Sequence, residues 1–353
     1  KESFELYNRL TDDSSEIECL FVERLKQLLK PNGICGIILP KSILENEKIF
    51  TDTRKILLKY FRVIGITEFG GNTFMATNQN TVAVFLRRRE NNEWSNLKHL
   101  IDNFFKNIKD ITIDGKENAI SYYIEQVYDG VGIKDYLAFL NRTTEKTILT
   151  ESFYLNYHEW FENKTEIKKL RESITFNNLS EKEQNDKILK IFYDLVLERE
   201  KEKLLYFFLT FNQDVILVKV GEKQSEKDFI GYEFSERRGK EGIRMYREDG
   251  KLITKLYNED NTLSSSKVNY YINSNFRGEK IASIDEELKN NLMLVRLNTL
   301  INFKEPDNQF QINISLKQKP VIKSKYQLKK LGKICDVRDG THDSPTLLRR
   351  GYP

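Results

Sequence analysis

Cysteine, histidine, proline and tryptophan are all sparse in this sequence, with 3, 3, 6 and 2 among 353 residues. Cys19, Cys35 and Cys335 lie far apart, so neither a zinc-ligand pattern nor a disulfide framework can be read, and a reducing cytoplasm is the expected compartment. His99, His158 and His342 are equally dispersed, and no strained elbow motif flanks a serine or cysteine. Histidine-assisted nucleophilic catalysis is thereby disfavoured, as is metal ligation by paired His or Cys. There is no Walker-type phosphate loop. The single Gly-x-Gly, Gly130-Val131-Gly132, lacks a third glycine and an acidic residue on a following strand, which leaves a plain loop as the expectation. Long apolar runs are missing too. The longest, Leu204 to Leu209, falls far short of the roughly 20 residues of a membrane-spanning helix, so no span is expected. The opening KESFELYNRL carries no apolar leader segment and no Met, which suggests a fragment or processed chain.

What is present is a chain with 39% hydrophobic and 12% aromatic residues, enough for a sizeable core and for two or three domains. Net charge is only +4, from 57 basic and 53 acidic residues, which does not by itself announce a nucleic-acid binder. Local basic clusters stand out at Arg87, Arg88 and Arg89, at Arg237, Arg238 and Lys240, and at Arg349 and Arg350. Mixed-charge runs such as LEREKEK read as solvated helix surface.

The first ninety residues alternate helix and strand. Ser15 and Glu18 form a capping-box pattern ahead of Ile17, Leu20, Phe21, Leu25, Leu28 and Leu29, which recur along one helical face. Ile34 to Pro40 is a short apolar run between Gly33 and Pro40, the pattern of a strand buried on both faces of a parallel sheet. A helix over 46–60 and a strand from Val63 to Phe69 complete a βαβ unit with a right-handed crossover. A further strand from Thr81 to Leu86 is placed to pair antiparallel with it, giving an α/β sheet with a hairpin at its edge. Residues 95–200 read as mostly helical, with strand-like interruptions near Ile111 and Tyr122. Asp194 to Phe211 is an expected helix, Val215 to Val220 a strand, 221–275 irregular, and Val321 to Leu331 a basic linker.

Four stretches, EIECLFVERLKQLLKPNG, ICGIILP, VIGITEFGGNTF and ATNQNTVAVFLRRR, come in an order and spacing that go further. Residues 16–89 resemble the second half of the catalytic domain of adenine-N6 DNA methyltransferases, in particular the modification subunit of type I restriction-modification systems and its single-chain relatives. EKLLYFFLTFNQDVILVKVGEKQSEKDFIGYEFSERRGKEGIRMY and KVNYYINSNFRGE resemble the segment that follows that domain in a subset of those subunits. YQLKKLGKICDVRDGTHDSPTLLRRGYP resembles the opening of a target-recognition domain of type I specificity subunits.

The resemblance implies a division into residues 1–92, the second half of a Rossmann-like methyltransferase domain; 93–200, a helical or mixed connector; 201–319, the C-terminal region of the modification subunit; and 320–353, a linker and the start of a truncated recognition domain. It implies methyl transfer from S-adenosylmethionine to an adenine that must first leave the helical stack, at a cost of a few kcal/mol. In the family an aromatic in the loop before the last hairpin packs on that base, and Phe74 holds this position; plugging the sheet edge is the competing role. Stacking of this kind contributes about 1 to 3 kcal/mol. Asn78 and Asn80 are candidates for DNA contact or plain turn formation. Arg87, Arg88, Arg237, Arg238 and Lys240 are candidates for phosphate or subunit contact, or solvated charge. Thr341 and His342 stand either in a domain-closing turn or against base edges.

The Gly-rich cofactor turn and the Asn/Asp-Pro-Pro-aromatic tetrapeptide of the family are missing, and no Pro-Pro pair occurs anywhere. No catalytic or cofactor-binding residue can therefore be assigned, and the isolated chain is expected to be inactive. Its expected partners are duplex DNA, an N-terminal catalytic half, and specificity and restriction subunits, with no membrane. The alternatives are a non-catalytic DNA-binding or assembly module and, less compatible with a recognition-domain opening, an α/β transferase for RNA or a small molecule.

Overall fold

The computed structural model describes residues 4–10, 16–71, 73–74, 80–107, 109–128, 130–142, 152–234 and 242–315. Two compact units divide the chain, Lys1–Ile314 and Ser315–Pro353, and nearly all described residues belong to the first.

The first ninety residues give α1 (Ile17–Leu28), β1 (Ile34–Pro40), α2 (Ser42–Glu45), α3 (Ile49–Tyr60), β2 (Phe61–Phe69) and β3 (Thr81–Arg88). A helical region follows: α4 (Glu93–Asn107), α5 (Ala119–Val127), α6 (Ile133–Leu140), α7 (Ser152–Glu162), α8 (Thr165–Glu172), α9 (Ile174–Asn177) and the long α10 (Glu181–Phe211). Then come β4 (Asp214–Lys219), α11 (Lys223–Ile230), two small hairpins built from β5 (Tyr232–Phe234), β6 (Ile243–Met245), β7 (Arg247–Glu248) and β8 (Lys251–Leu252), and finally α12 (Val268–Arg277), β9 (Leu292–Arg296) and α13 (Leu297–Leu300).

The protein is a mixed α/β structure whose main sheet has five strands in the order β1-β3-β2-β4-β9. β2 and β4 pair in parallel, whereas β3 runs antiparallel to both of its neighbours and β9 antiparallel to β4. The expected hairpin of β2 and β3 forms, but not at the edge: β3 lies between β1 and β2. β4 and β9 join the same sheet, so the sequence boundaries at 92 and 201 do not separate one sheet from another.

β1 departs from its expected burial. As an edge strand it leaves Ile34, at 57%, and Ile38, at 53%, exposed, and among the described residues no strand pairs with its outer side. α1 differs likewise. Its inward face is Cys19, Val22 and Glu23, while Ile17, Phe21 and Leu28 point outward. Glu23 explains the rotation: its buried carboxylate accepts the backbone N–H groups of Glu5 at 2.6 Å and Leu6 at 3.0 Å, satisfying a charge that would otherwise be costly to enclose. The N-cap of α1 is Glu16, without a side-chain capping bond, and Ser15 lies outside the described residues.

The helical region is organised by α10, which starts 13 residues before the expected Asp194, at a full capping box of Ser180 and Glu183. Tyr122, read as strand-like, is helical in α5, and the stretch beyond Ile111 contributes only an isolated bridge between Ile113 and Lys116. At its centre Glu200 is fully buried and accepts hydrogen bonds from Tyr123 at 3.0 Å, Tyr136 at 2.9 Å, Tyr128 and Tyr157. Lys203, also fully buried, ion-pairs with Glu200 at 3.4 Å and donates to the Tyr128 hydroxyl at 3.1 Å. Burial holds the four phenols well above the ordinary tyrosine value and pulls Lys203 down, against the raising effect of Glu200.

Candidate functional site

β1, β2 and β4 all run in the same direction, so their carboxyl ends gather at one edge of the sheet. In open α/β sheets ligands bind outside those ends. Here the edge carries Lys41 after β1, Glu68 and Phe69 in β2, the Phe74 loop, and Lys219 at the end of β4. Glu68 links the strands, pairing with Lys41 at 2.9 Å and Lys219 at 3.2 Å, while Lys41 also reaches Glu45 at 3.2 Å. Burial opposes the charge of Lys41, but the bonds to Glu68 and Glu45 outweigh it and hold the ammonium above the ordinary lysine value.

Phe74 is half-buried at this edge and packs edge-to-face against Phe69, with ring centroids 6.0 Å apart. Edge-to-face is a favoured arrangement of two aromatic rings. The preceding residues are tightly held. Thr73 is 1% exposed, and its hydroxyl donates to Oε1 of Glu226 in α11. Its backbone carbonyl accepts the Tyr232 hydroxyl at 3.3 Å, and its own N–H reaches back to the Gly70 carbonyl at 3.4 Å. Glu226 is itself completely buried, and its second oxygen has no hydrogen-bond partner among the described residues. It lies against Gly70, where an added Cβ would come within 2.7 Å of the Glu226 carboxyl carbon, so a larger residue there would force the carboxylate to shift. Burial and then the charge of Glu226 push the Tyr232 phenol up.

The structure sorts the remaining sequence candidates. Asn80 is exposed at the entry of β3, its carbonyl accepting the Lys41 N–H at 3.0 Å. Arg87 is half-buried and donates to the Phe276 carbonyl of α12. Arg88 is 7% exposed, and its guanidinium donates to the carbonyls of Tyr60 at 3.2 Å and Arg89 at 3.1 Å while lying over the Tyr60 ring. Both terminal nitrogens are engaged within the protein, the second with Asn91 Oδ1 at 3.4 Å, so Arg88 is enclosed rather than a solvated strand end. The same holds more strongly for Arg89, which bonds the carbonyls of Leu58, Phe61 and Leu209 and pairs with Glu93; burial, partly offset by Glu93, lowers its pKa to about 10. These arginines sit at the opposite end of β3 from Phe74. Asn78, Arg237, Arg238, Lys240, Thr341 and His342 lie outside the described residues.

Lys41, Glu68, Lys219, Glu226 and Tyr232 were not singled out in the sequence. The usable signal for the first three was their place at the ends of strands. For Glu226 there was none, because 153 residues separate it from Thr73. Gly130 and Gly132 lie in the turn between α5 and α6, in the helical region rather than after a strand. Among the described residues there is no cluster of His, Cys, Asp or Glu able to hold a metal, and no helix long and apolar enough to cross a membrane.

Residues 1–74 match the family described as Eco57I restriction-modification methylase. The matched segment takes in α1 through β2 and ends on Phe74. No curated protein matches the chain. A chain from a solved structure described as "Structural basis underlying complex assembly and conformational transition of the type I R-M system" is 23% identical over 24% of this chain, with a TM-score of 0.21, a likeness too slight to argue from. The match spans 18% of that chain's own length. The N-terminal part of the chain is thus similar to restriction-modification methylases.

Proposed function

We propose that this chain is part of a site-specific DNA adenine-N6 methyltransferase of a type I or fused restriction-modification system, and that Phe74 stacks on the adenine turned out of the duplex. The observation that carries the reading is the half-open Phe74 ring, anchored on Phe69 at the carboxyl edge of the sheet and preceded by a segment with methylase-like sequence. In this reading the complete enzyme transfers a methyl group from S-adenosylmethionine to the adenine amino group. In this reading the cofactor is held mainly by a further polypeptide segment, because the Gly-rich turn and the Asn/Asp-Pro-Pro-aromatic tetrapeptide do not occur in this sequence.

The surface such a segment would cover is the outer side of β1 together with the outward stripe of α1, where Ile17, Phe21, Leu28, Ile34 and Ile38 are all more than half exposed. An unpaired strand edge bordered by large apolar side chains is a template for a further strand and its packing layer. Duplex DNA and the specificity and restriction subunits are the remaining partners, with residues 326–353, including Thr341 and His342, as the start of the recognition domain and Arg237, Arg238 and Lys240 as further contacts to DNA or a subunit. Asn78 and Asn80 border the adenine-binding loop.

The test is Phe74→Ala in the complete enzyme. Fluorescence of a duplex carrying 2-aminopurine at the target position should show weaker capture of the extruded base, with the fold intact, and methylation should slow by about tenfold. Unchanged capture and kinetics would remove the stacking role. Titration with cofactor and duplex, with and without the upstream polypeptide, separates the enzyme from a DNA-binding module, which binds duplex and never the cofactor.

A further inference from the structure

We infer that Glu226, with Tyr232, is a positioning residue for the Phe74 loop, so that the segment following the helical region sets where the aromatic ring stands. The inference rests on the stacking role proposed for Phe74 but concerns different atoms. Loops leaving the carboxyl end of a strand are normally held by their own turn, and this one has a single internal backbone bond among the described residues, from Thr73 to Gly70 at 3.4 Å. The stronger contacts come from outside. Glu226 accepts the Thr73 hydroxyl, and Tyr232 donates to the Thr73 carbonyl at 3.3 Å. Together they hold both the side chain and the backbone of the residue immediately before Phe74, which leaves the ring little choice of direction.

Three features show that the contact is built rather than incidental. Glu226 is completely buried on an eight-residue helix, although a carboxylate there is costly unless it is paired. Gly70, having no Cβ, leaves room for the carboxylate in the position it takes. Phe69, which packs edge-to-face on the Phe74 ring, shares one apolar cluster with Phe229, Ile230 and Tyr232, which joins β2 to α11. Among the described residues the second Glu226 oxygen has no donor, which makes the clamp weaker than a fully satisfied one.

Hydrogen exchange of the full chain tests the clamp without any substrate. Thr73→Val and Glu226→Ala should each raise exchange by about tenfold in peptides containing Thr73 and Phe74, while peptides of α10 stay unchanged. Glu226→Gln keeps an acceptor for the Thr73 hydroxyl and should preserve protection. Exchange equal to wild type in Thr73→Val overturns the inference, and that variant decides the matter should Glu226→Ala fail to fold. In the complete enzyme Thr73→Val should also weaken 2-aminopurine capture, with less effect than Phe74→Ala. Loss of loop protection with no change in capture for either variant would leave the clamp in place and remove the stacking role instead.

Discussion

The helical region and the carboxyl edge of the sheet each enclose a carboxylate completely, and they treat it in opposite ways. Glu200 receives four tyrosine hydroxyls and lies beside Lys203, so both of its oxygens are saturated and three helices besides its own are tied to one point. Glu226 receives one threonine hydroxyl, and among the described residues its second oxygen has no hydrogen-bond partner. A saturated buried network rigidifies and specifies a single packing, whereas a partly satisfied one stores unfavourable free energy. The difference teaches that the helical region is a fixed support and that the sheet edge carrying Phe74 is the adjustable part.

The largest effect expected from this contrast is at Glu200. Glu200→Ala strands four phenols and a buried ammonium, and should cost about 3 to 5 kcal/mol, visible as a lowered midpoint in urea unfolding. Glu226→Ala should cost about 1 kcal/mol, because it orphans one hydroxyl. Equal losses for the two variants would break the comparison.

A pH titration sharpens it. The four phenols around Glu200 have folded pKa values raised by burial, so the stability they contribute is complete below the ordinary tyrosine value of 10.0 and is lost as pH rises beyond it. Circular dichroism should show alkaline loss of helix beginning above that pH, and Tyr136→Phe should make the loss shallower. Melting that starts in the sheet and leaves the helices intact would contradict the support role.

The open side of β1 gives a third, purely associative effect. Ile38→Lys should change stability by no more than about 0.5 kcal/mol, since the side chain is already exposed, yet weaken docking of the upstream polypeptide at least tenfold in a pull-down with purified partner. Undiminished docking would show that the strand edge is not the contact. The smallest effect is at Gly70. Gly70→Ala pushes on the Glu226 carboxylate and should loosen the Phe74 loop in hydrogen exchange with little change in overall stability.

The periodicities made much of the fold legible. α3, β2, β3 and β4 stand within a few residues of their expected bounds, because each is a short element whose apolar spacing matches its own period. β1 was legible as a strand but not in its burial, since a continuous apolar run reads the same whether both faces are covered or one is left exposed. The rotation of α1 was hidden because a leucine-rich stripe outweighs Glu23 in any pattern, although the buried carboxylate and its two backbone donors decide which face turns inward. Around Glu200 the tyrosines come from three separate helices, and no local spacing connects them. Phe74 stands out in the sequence by its polar, glycine-containing setting, whereas the enclosure of Arg88 and Arg89 does not: a terminal run of arginines resembles a solvated strand end until Tyr60, Phe61 and Leu209 bring their carbonyls to it.

By itself, then, the sequence determined the local elements and the place of the aromatic between two strands, which depend on residues near one another along the chain. Only the tertiary structure decided that β3 sits between β1 and β2, that α11 grips the loop, and which charged groups are enclosed. Those outcomes depend on desolvation and on bonds between residues far apart in the chain, and neither leaves a trace in local spacing.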